Sequence, residues 1–324
     1  MNSEIHRIIT NEFCIEPEKS IAPKVSIITV NYRQSDITNS LLQSLEQVDM
    51  KSFEVIVVNN SETDDYKNII CPTYTLRIIV SKVNKGFAAA NNLGFTKARG
   101  EYILLLNNDT EVDPAFLDEM IEAFQWKKRI GAVSPKIKYF SNPLLIQYAG
   151  YSKMNPFTLR MRARGSKEPD NGSYNERLIT NYGHGCAMMV RRGVLEEVGP
   201  MPEQYFLYYE EHDWSSSIRK AGYDICYEPG AVVYHKESVT VRKDSPMKVY
   251  YMNRNRFLFM RRNLTAFQKL ISTTYMLLFS IPVNTLKYFV RRQNRHLRAY
   301  LEAVIYGITG RFHIPWKASS GSWN

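Results

Sequence analysis

Cysteine is scarce: Cys14, Cys71, Cys186 and Cys226 are all there are in 324 residues. No two of them share metal-motif spacing, so neither a zinc module nor a disulfide scaffold is expected. A reducing, cytoplasmic setting is the expectation. The first twenty residues carry Glu4, Arg7, Glu12, Glu16 and Glu18 and no long apolar run. A cleaved secretory signal is therefore not expected there. The uncharged segment Leu270–Leu286 is 17 residues long and contains Pro282 and Asn284. That is short of the about 20 residues that a membrane-spanning helix needs. No Gly-x-Gly-x-x-Gly loop follows the first apolar strand, and no Gly-x4-Gly-Lys-Ser/Thr occurs, which removes the dinucleotide and P-loop fingerprints. With 44% hydrophobic and 23% charged residues, the chain is neither disordered nor polytopic.

Acidic charge is also lacking, at one end only. Residues 236–324 hold 16 Lys and Arg against 3 Asp and Glu, while the rest of the chain holds 26 against 29. A basic surface confined to the end of the chain is expected, and a chain-wide nucleic-acid surface is not. Lys269 and Lys287 bracket the uncharged segment, and Arg291, Arg292, Arg295 and Arg298 follow it. An interfacial helical tail on an anionic membrane fits this pattern, and a helix packed on the main domain is the alternative. Either could also pair two copies.

Strands and helices alternate through the first half. Val25–Val30, Phe53–Val58, Leu76–Val80 and Tyr102–Leu106 are continuous apolar runs of the kind buried in a parallel sheet. Between them, Ser35 or Asp36 can cap a helix with Ile37, Leu41, Leu42 and Leu45 on one face. Gly86–Ala98 reads as a second helix, Pro114 opens a third, and Gly131–Val133 leads into a fifth strand. Further strands are expected at Cys186–Val190 and Ala231–Tyr234, and helices over 191–198 and 211–221. The spacing predicts a mostly parallel α/β sheet covered on both faces, with ligands at the carboxyl ends of its strands. Residues 1–22 read as a loosely attached extension, 23–240 as the main α/β domain and 241–324 as the helical basic tail.

Polar residues cluster at those strand ends. Asn107-Asn108-Asp109 can offer hard oxygen ligands to Mg²⁺ or Mn²⁺, or an Asx turn opening the next helix. In Asn84–Asn92, small residues would let a helix N-terminus approach an anion, with Asn91 reaching a base, ribose or phosphate. Close helix–sheet packing calls for the same glycine and alanines. Glu210-Glu211-His212-Asp213 opens a helix after the aromatic run Tyr205–Tyr209; it suits the helix dipole, and crowding there could raise a carboxylate pKa for general-base work. His235 stands at a strand end as a metal or diphosphate ligand or a core histidine. His184, between two glycines, suits an acceptor-side loop.

Together these segments resemble inverting glycosyltransferases of family 2, with the GT-A fold, in the rhamnosyltransferase-like branch. The resemblance is carried by VSIITVNY at 25–32, VIVVNNS at 55–61, NKGFAAANNLG at 84–94, LLLNNDT at 104–110, GHGCAMMVRR at 183–192, FLYYEEHDW at 206–214 and AGYDICYEPGAVVYH at 221–235. It covers about residues 23–260. It implies that Thr29, Asn31 and Asn59 line the base and ribose pocket, with Gly86, Asn91 and Asn107 also toward the donor. It implies that Asp109 and His235 hold Mg²⁺ or Mn²⁺, with Asn107 and Asp109 at the family's Asp-x-Asp position. Glu211 would be the catalytic base and Asp213 the second carboxylate. Three departures stand out: Glu211 where Asp is usual, Asn59 where the second strand usually carries Asp, and Ser217 where many relatives have Arg.

The expected activity is inverting transfer of rhamnose from dTDP-rhamnose to a glycan or polyprenyl-linked acceptor in bacterial cell-surface polysaccharide synthesis. The expected location is the cytoplasm, peripheral on the inner face of the membrane. A UDP-hexose or UDP-galactofuranose transferase of the same fold, and a non-enzymatic basic binding protein for nucleic acid or glycan, are the rival readings. No nucleic-acid partner is expected, because Glu210–Asp213 would repel phosphates.

Overall fold

The computed structural model describes residues 9–15, 22–81, 83–237 and 245–310. Strand β1 is Ile9–Ile15, β2 Val25–Asn31, β3 Phe53–Asn59 and β4 Thr75–Ser81. Helix α1 is Ser35–Glu46, and α2 is Phe87–Phe95. Strand β5 is Tyr102–Leu106 and β6 Thr110–Val112, ahead of α3, Phe116–Trp126. Then come β7 Ile130–Tyr139, β8 Asn142–Tyr148, β9 Glu168–Pro169, β10 Leu178–Thr180 and β11 Ala187–Arg191. Helices α4, Arg192–Val198, and α5, Glu210–Lys220, precede β12, Asp224–His235.

One mixed sheet runs β1-β4-β3-β2-β5-β11-β7-β12-β10. β4, β3, β2 and β5 are parallel neighbours, as their runs predict. Successive residues of β2 serve opposite faces. Ile27 joins Leu41, Leu42, Leu45, Phe116 and Phe124 on one side. Ile28 joins Ala88, Leu93, Trp214 and Ile218 on the other. Both faces are sealed, which is why alternation is missing from these strands and continuous apolar runs appear instead.

Four features differ from the sequence reading. Within the N-terminal extension, β1 pairs antiparallel with β4 from Ile9↔Ser81 to Ile15↔Leu76. An edge strand is held through its backbone, so little side-chain pattern betrays it. β11 is antiparallel to both β5 and β7. β12 begins seven residues earlier than the expected Ala231, because Pro229 and Gly230 interrupt it as a bulge between the pairs Glu228↔Pro135 and Val232↔Lys136. The Asx turn open as one reading of Asn107–Asp109 does not lead into a helix: Thr110 starts β6, which pairs with the end of β12 as His235↔Thr110.

After residue 245 the chain is helical: α6 Pro246–Asn263, α7 Ala266–Tyr275, a π-turn at Met276–Ser280, α8 Ile281–Val290 and α9 Asn294–Thr309. Pro282 lacks the N–H for its turn, and the π-turn just before it absorbs the mismatch. No helix among the described residues is long and apolar enough to cross a membrane. α6 and α9 form their own core with the aromatic loop, through Tyr205, Tyr209, Phe257, Tyr300 and Val304.

Candidate active site

The parallel strands deliver their polar ends to one edge. Asn31 and Asn59 are in register, Asn31↔Asn59, and both are fully buried. Asn31 Nδ2 donates to Asn59 Oδ1 and to Asp65 Oδ2, each at 2.9 Å. Its Oδ1 accepts from Thr38 Oγ1 at 2.9 Å. Asp65 also accepts from the Ser35 N–H and hydroxyl, both at 3.0 Å. Asp65 was not singled out from the sequence, although it follows an expected strand within an acidic run. It supplies a carboxylate beside Asn59, at the strand end where the family usually carries Asp. Thr29 is fully buried, and its hydroxyl has no hydrogen-bond partner.

The glycine-rich segment behaves differently from an anion cradle. Gly86 has φ +91°, and a Cβ there would lie 2.3 Å from the Phe206 carbonyl oxygen. The Phe87 N–H donates to that same oxygen at 2.7 Å. The N-terminus of α2 is thus capped by the loop ahead of α5. Farther along, a Cβ at Gly94 would strike Ile28 at 2.5 Å. The small residues serve close packing within the protein, the second of the two uses open from the sequence. Asn91, 1% exposed, donates to the Phe87 carbonyl at 2.9 Å.

The turn from β5 into β6 holds Asn107 and Asp109, and β12 ends beside it because His235 pairs with Thr110. His235 Nε2 lies 3.2 Å from Asp109 Oδ1. That oxygen, like Asn107 Oδ1, is buried without a hydrogen-bond partner. The other imidazole nitrogen, Nδ1, faces Gln147 Oε1 at 2.9 Å, which fixes the ring. No group of three or more His, Cys, Asp and Glu side chains that could hold a metal occurs among the described residues. One carboxylate, one amide oxygen and one imidazole nonetheless make a hard donor set that fits Mg²⁺ or Mn²⁺, if the substrate completes it.

Across from this turn sits the acidic helix start. Phe206, Tyr208 and Tyr209 all have positive φ, 65°, 69° and 77°. Three such residues in four need outside support, and α6 supplies it. Asn255 Nδ2 donates to the carbonyls of Tyr205, Leu207 and Tyr208 at 3.0, 2.7 and 2.7 Å. Arg254 donates to those of Gln204 and Tyr205 at 2.7 and 2.6 Å.

The three acids that follow have distinct surroundings. Glu210 is 3% exposed, and burial, reinforced by Glu211, pushes its carboxyl well above the usual range. Asp213 is closed off: it accepts from Tyr205 Oη at 2.7 Å, Asn263 Nδ2 at 3.2 Å and the Arg262 guanidinium. Burial, then the Asp213 charge, holds the Tyr205 hydroxyl protonated far above its ordinary range. Glu211 is half-buried, with Oε2 lacking a partner, and a Cβ added at Gly185 would come within 3.4 Å of its side chain. Its Oε1 lies 3.2 Å from His212 Nδ1. Burial lowers the His212 pKa, and it drives His184 down to about 3 with help from His235 and His212. His184 stacks on Tyr151 at 5.9 Å and meets His235 edge-on at 6.4 Å. Tyr151 also meets His212 at 5.6 Å, so a chain of rings links the acid cluster to the Asp109 turn. Ser217 bonds only within its helix, to the Asp213 carbonyl at 3.2 Å.

Comparison with known proteins bears on the family and the fold. The family model described as "Glycosyl transferase family 2" matches residues 25–199. A low-salt glycan biosynthesis hexosyltransferase of Haloferax volcanii is 26% identical over 248 residues, covering 74% of this chain and 76% of that protein. An N-acetylglucosaminyl-diphospho-decaprenol L-rhamnosyltransferase of Mycobacterium tuberculosis is 23% identical over 255 residues, covering 72% and 83%. Among solved structures, a mannosyltransferase of Pyrobaculum calidifontis in complex with GDP-Man and Mn²⁺ superposes with a TM-score of 0.55 at 15% identity, covering 96% of this chain and 94% of that one.

Proposed function

The chain belongs to glycosyl transferase family 2 and has the GT-A fold, and on that premise we propose that it is an inverting, metal-assisted transferase with Glu211 as its general base. The observation that carries the assignment is the sorting of the three acids. Burial, reinforced by Glu211, raises the Glu210 pKa, and Asp213 spends its oxygens on Tyr205, Asn263 and Arg262. Glu211 alone keeps an unpartnered oxygen without Glu210's deep burial. It takes the proton from the acceptor hydroxyl as that oxygen attacks the anomeric carbon from the face opposite the leaving diphosphate, which inverts the centre. His212 and His184, neutral through burial, exclude water around the attacking oxygen without competing for the proton.

Asn107, Asp109 and His235 would hold Mg²⁺ or Mn²⁺; the bound ion would neutralise the charge that builds on the departing nucleoside diphosphate. Two orphaned buried oxygens, and the Mn²⁺ named with the Pyrobaculum protein, support this. Asn31, Asn59, Asp65 and Thr29 form the floor for base and ribose, and Gly86 and Asn91 act on it through the close packing of α2. The proposed donor is dTDP-rhamnose and the acceptor a polyprenyl-linked or glycan hydroxyl in cell-surface polysaccharide synthesis, supported by the mycobacterial relative. The enzyme would work at the inner face of the cell membrane.

Kinetics of Glu211→Gln beside Glu210→Gln, with NMR of the product anomer, test this. Expected are an inverted product, a turnover lower by ~10²–10⁴-fold in Glu211→Gln and a nearly unaffected Glu210→Gln. Retention of configuration, or the opposite order of the two variants, overturns it. Calorimetric titration with dTDP-, UDP-, GDP- and CMP-sugars tests the donor. Tight binding of a UDP-hexose with none of dTDP-rhamnose would replace the sugar while leaving the mechanism in place.

A further inference from the structure

The largest bare apolar surface lies on α7, the π-turn and α8. α8 buries none of its residues, and α7 buries only Ser272. Phe267, Leu270, Leu278, Phe279, Leu286 and Phe289 are 59–68% exposed. They are spaced three, eight, one, seven and three residues apart, near whole turns or side by side, so they share one broad face along the continuous helix. A stripe of this length on a protein in water marks a contact surface.

Charge identifies the occupant. From α7 to the end of α9, Lys269, Lys287, Arg291, Arg292, Arg295 and Arg298 face a single acidic residue, Glu302, which is paired with Arg298 at 2.9 Å. A second copy meeting this face would bring the same positive rim against it. An anionic bilayer instead satisfies both parts, taking phenylalanine and leucine below the headgroups and lysine and arginine among the phosphates. Crossing is not the mode, since no described helix is long and apolar enough.

The face is also fixed to the chemistry. α6 ends at Asn263, and the α7 cap Thr265 follows two residues later. At that corner Arg262 and Asn263 hold Asp213, and Lys220 donates to Asn263 Oδ1 at 2.8 Å. Both ends of α5, whose first turn carries Glu211, are therefore tied to the residues that launch α7.

We propose that the apolar stripe of α7–α8 and its basic rim form a membrane-resting face that lies in the headgroup region of an anionic bilayer and hangs the acid-bearing helix α5 above it. The proposal rests on the lipid-linked acceptor of the proposed function for its purpose, but its test needs neither donor nor acceptor. Full-length protein is floated with vesicles of phosphatidylcholine alone and with 30% phosphatidylglycerol, at low and at 0.5 M salt. Flotation is expected with the anionic vesicles, weakened at high salt. Leu278→Ser with Phe279→Ser should abolish it, and Arg291→Gln with Arg292→Gln should weaken partitioning about thirtyfold. All four positions are exposed, so the variants should fold, with an unchanged circular dichroism melt as the check. Flotation that is equal in every variant overturns the proposal. So does a wild type that ignores both vesicles and sediments as a dimer which the serine pair converts to monomer. Because donor hydrolysis is assayed separately, an inactive protein that still floats would fail the transferase reading alone, and an active one that does not float would fail this one alone.

Discussion

At the carboxyl ends of β2, β3 and β5, Asn31, Asn59 and Asp109 are 0–6% exposed, whereas on α8 Leu286 and Phe289 are 61% and 68% exposed. One region buries polar groups and the other bares apolar ones. Each is the reverse of what folding favours by itself. In the sheet, the cost is offset by mutual bonds among Asn31, Asn59, Asp65 and Thr38, and the buried oxygens left over, on Thr29, Asn107 and Asp109, lie where the proposed function puts the donor and its metal. In the tail nothing within the described residues offsets the exposure. The two inversions therefore point to two different partners, a charged small molecule at the sheet and a surface at the tail. α6 belongs to neither class: its polar residues Arg254 and Asn255 are buried and spent on the backbone of the loop between them.

The largest effect should come from the sheet end. Asp109→Ala removes the buried carboxylate of the donor set and should lower transfer by ~10²–10⁴-fold, the equivalent of several kcal/mol of charge stabilisation. Stability should hold or rise, because an unpartnered buried oxygen is lost with the side chain. Steady-state kinetics beside a thermal melt would check both halves. Undiminished transfer, particularly in EDTA, would erase the distinction drawn between this end of the sheet and ordinary buried polar groups.

Next in size is the hinge between the regions. Asn255→Ala strips three carbonyls of one donor in a loop already held at positive φ. A cost of ~2–4 kcal/mol in urea unfolding is expected from the groups left unsatisfied, with turnover falling more than donor affinity because the loop leads directly into the helix turn that carries Glu211. A loss below 0.5 kcal/mol would mean that the loop supports itself.

The two regions were unequally visible in the sequence. Strands β2 to β5 were legible because sealing both faces leaves an uninterrupted apolar run, and Asn107, Asp109 and His235 were legible because they sit directly after such runs. β1 was not, since an edge strand is secured by backbone pairing. β6 was hidden because Asp109-Thr110 also suits a helix cap, and only the distant β12 decides between them. The Asp213–Arg262 contact spans 49 residues, and no periodicity couples positions that far apart. Gly86 was visible as a glycine but not for what it touches: the same residue serves an anion or the Phe206 backbone, and the tertiary structure selects the backbone. The sequence likewise offered three acids at one helix start, and burial and bonding partners separate them.

A smaller effect concerns Glu210. Its folded-state pKa is raised, first by burial and then by Glu211. The folded chain thus keeps a proton that the unfolded chain releases above about 4.5. Stability should fall as pH rises from that value through the raised one, by about 1.4 kcal/mol per pH step of one across that window. Glu210→Gln should flatten this slope and leave the variant the more stable at pH 8. Melting curves from pH 4.5 to 8.5 would show it, and parallel curves for the two proteins would mean that Glu210 ionises freely.

The smallest effect should be the most telling about the tail. Ile27 and Phe279 are both large apolar residues, one fully buried between α1 and α3, the other 59% exposed on the π-turn. Ile27→Ala removes packed methyls and leaves a cavity, at a cost of ~2–5 kcal/mol. Phe279→Ser removes surface that is already in water, so the unfolding free energy should stay within about 0.5 kcal/mol of the parent in detergent-free buffer. Solubility should improve as the apolar patch shrinks. Urea titration of both variants in one buffer makes the comparison direct. If Phe279→Ser were as costly as Ile27→Ala, the ring would have to be buried in solution, and the tail would be packed on protein instead of waiting for a surface. A near-silent Phe279→Ser would show that folding does not need this ring, which leaves what the face touches as the reason for it.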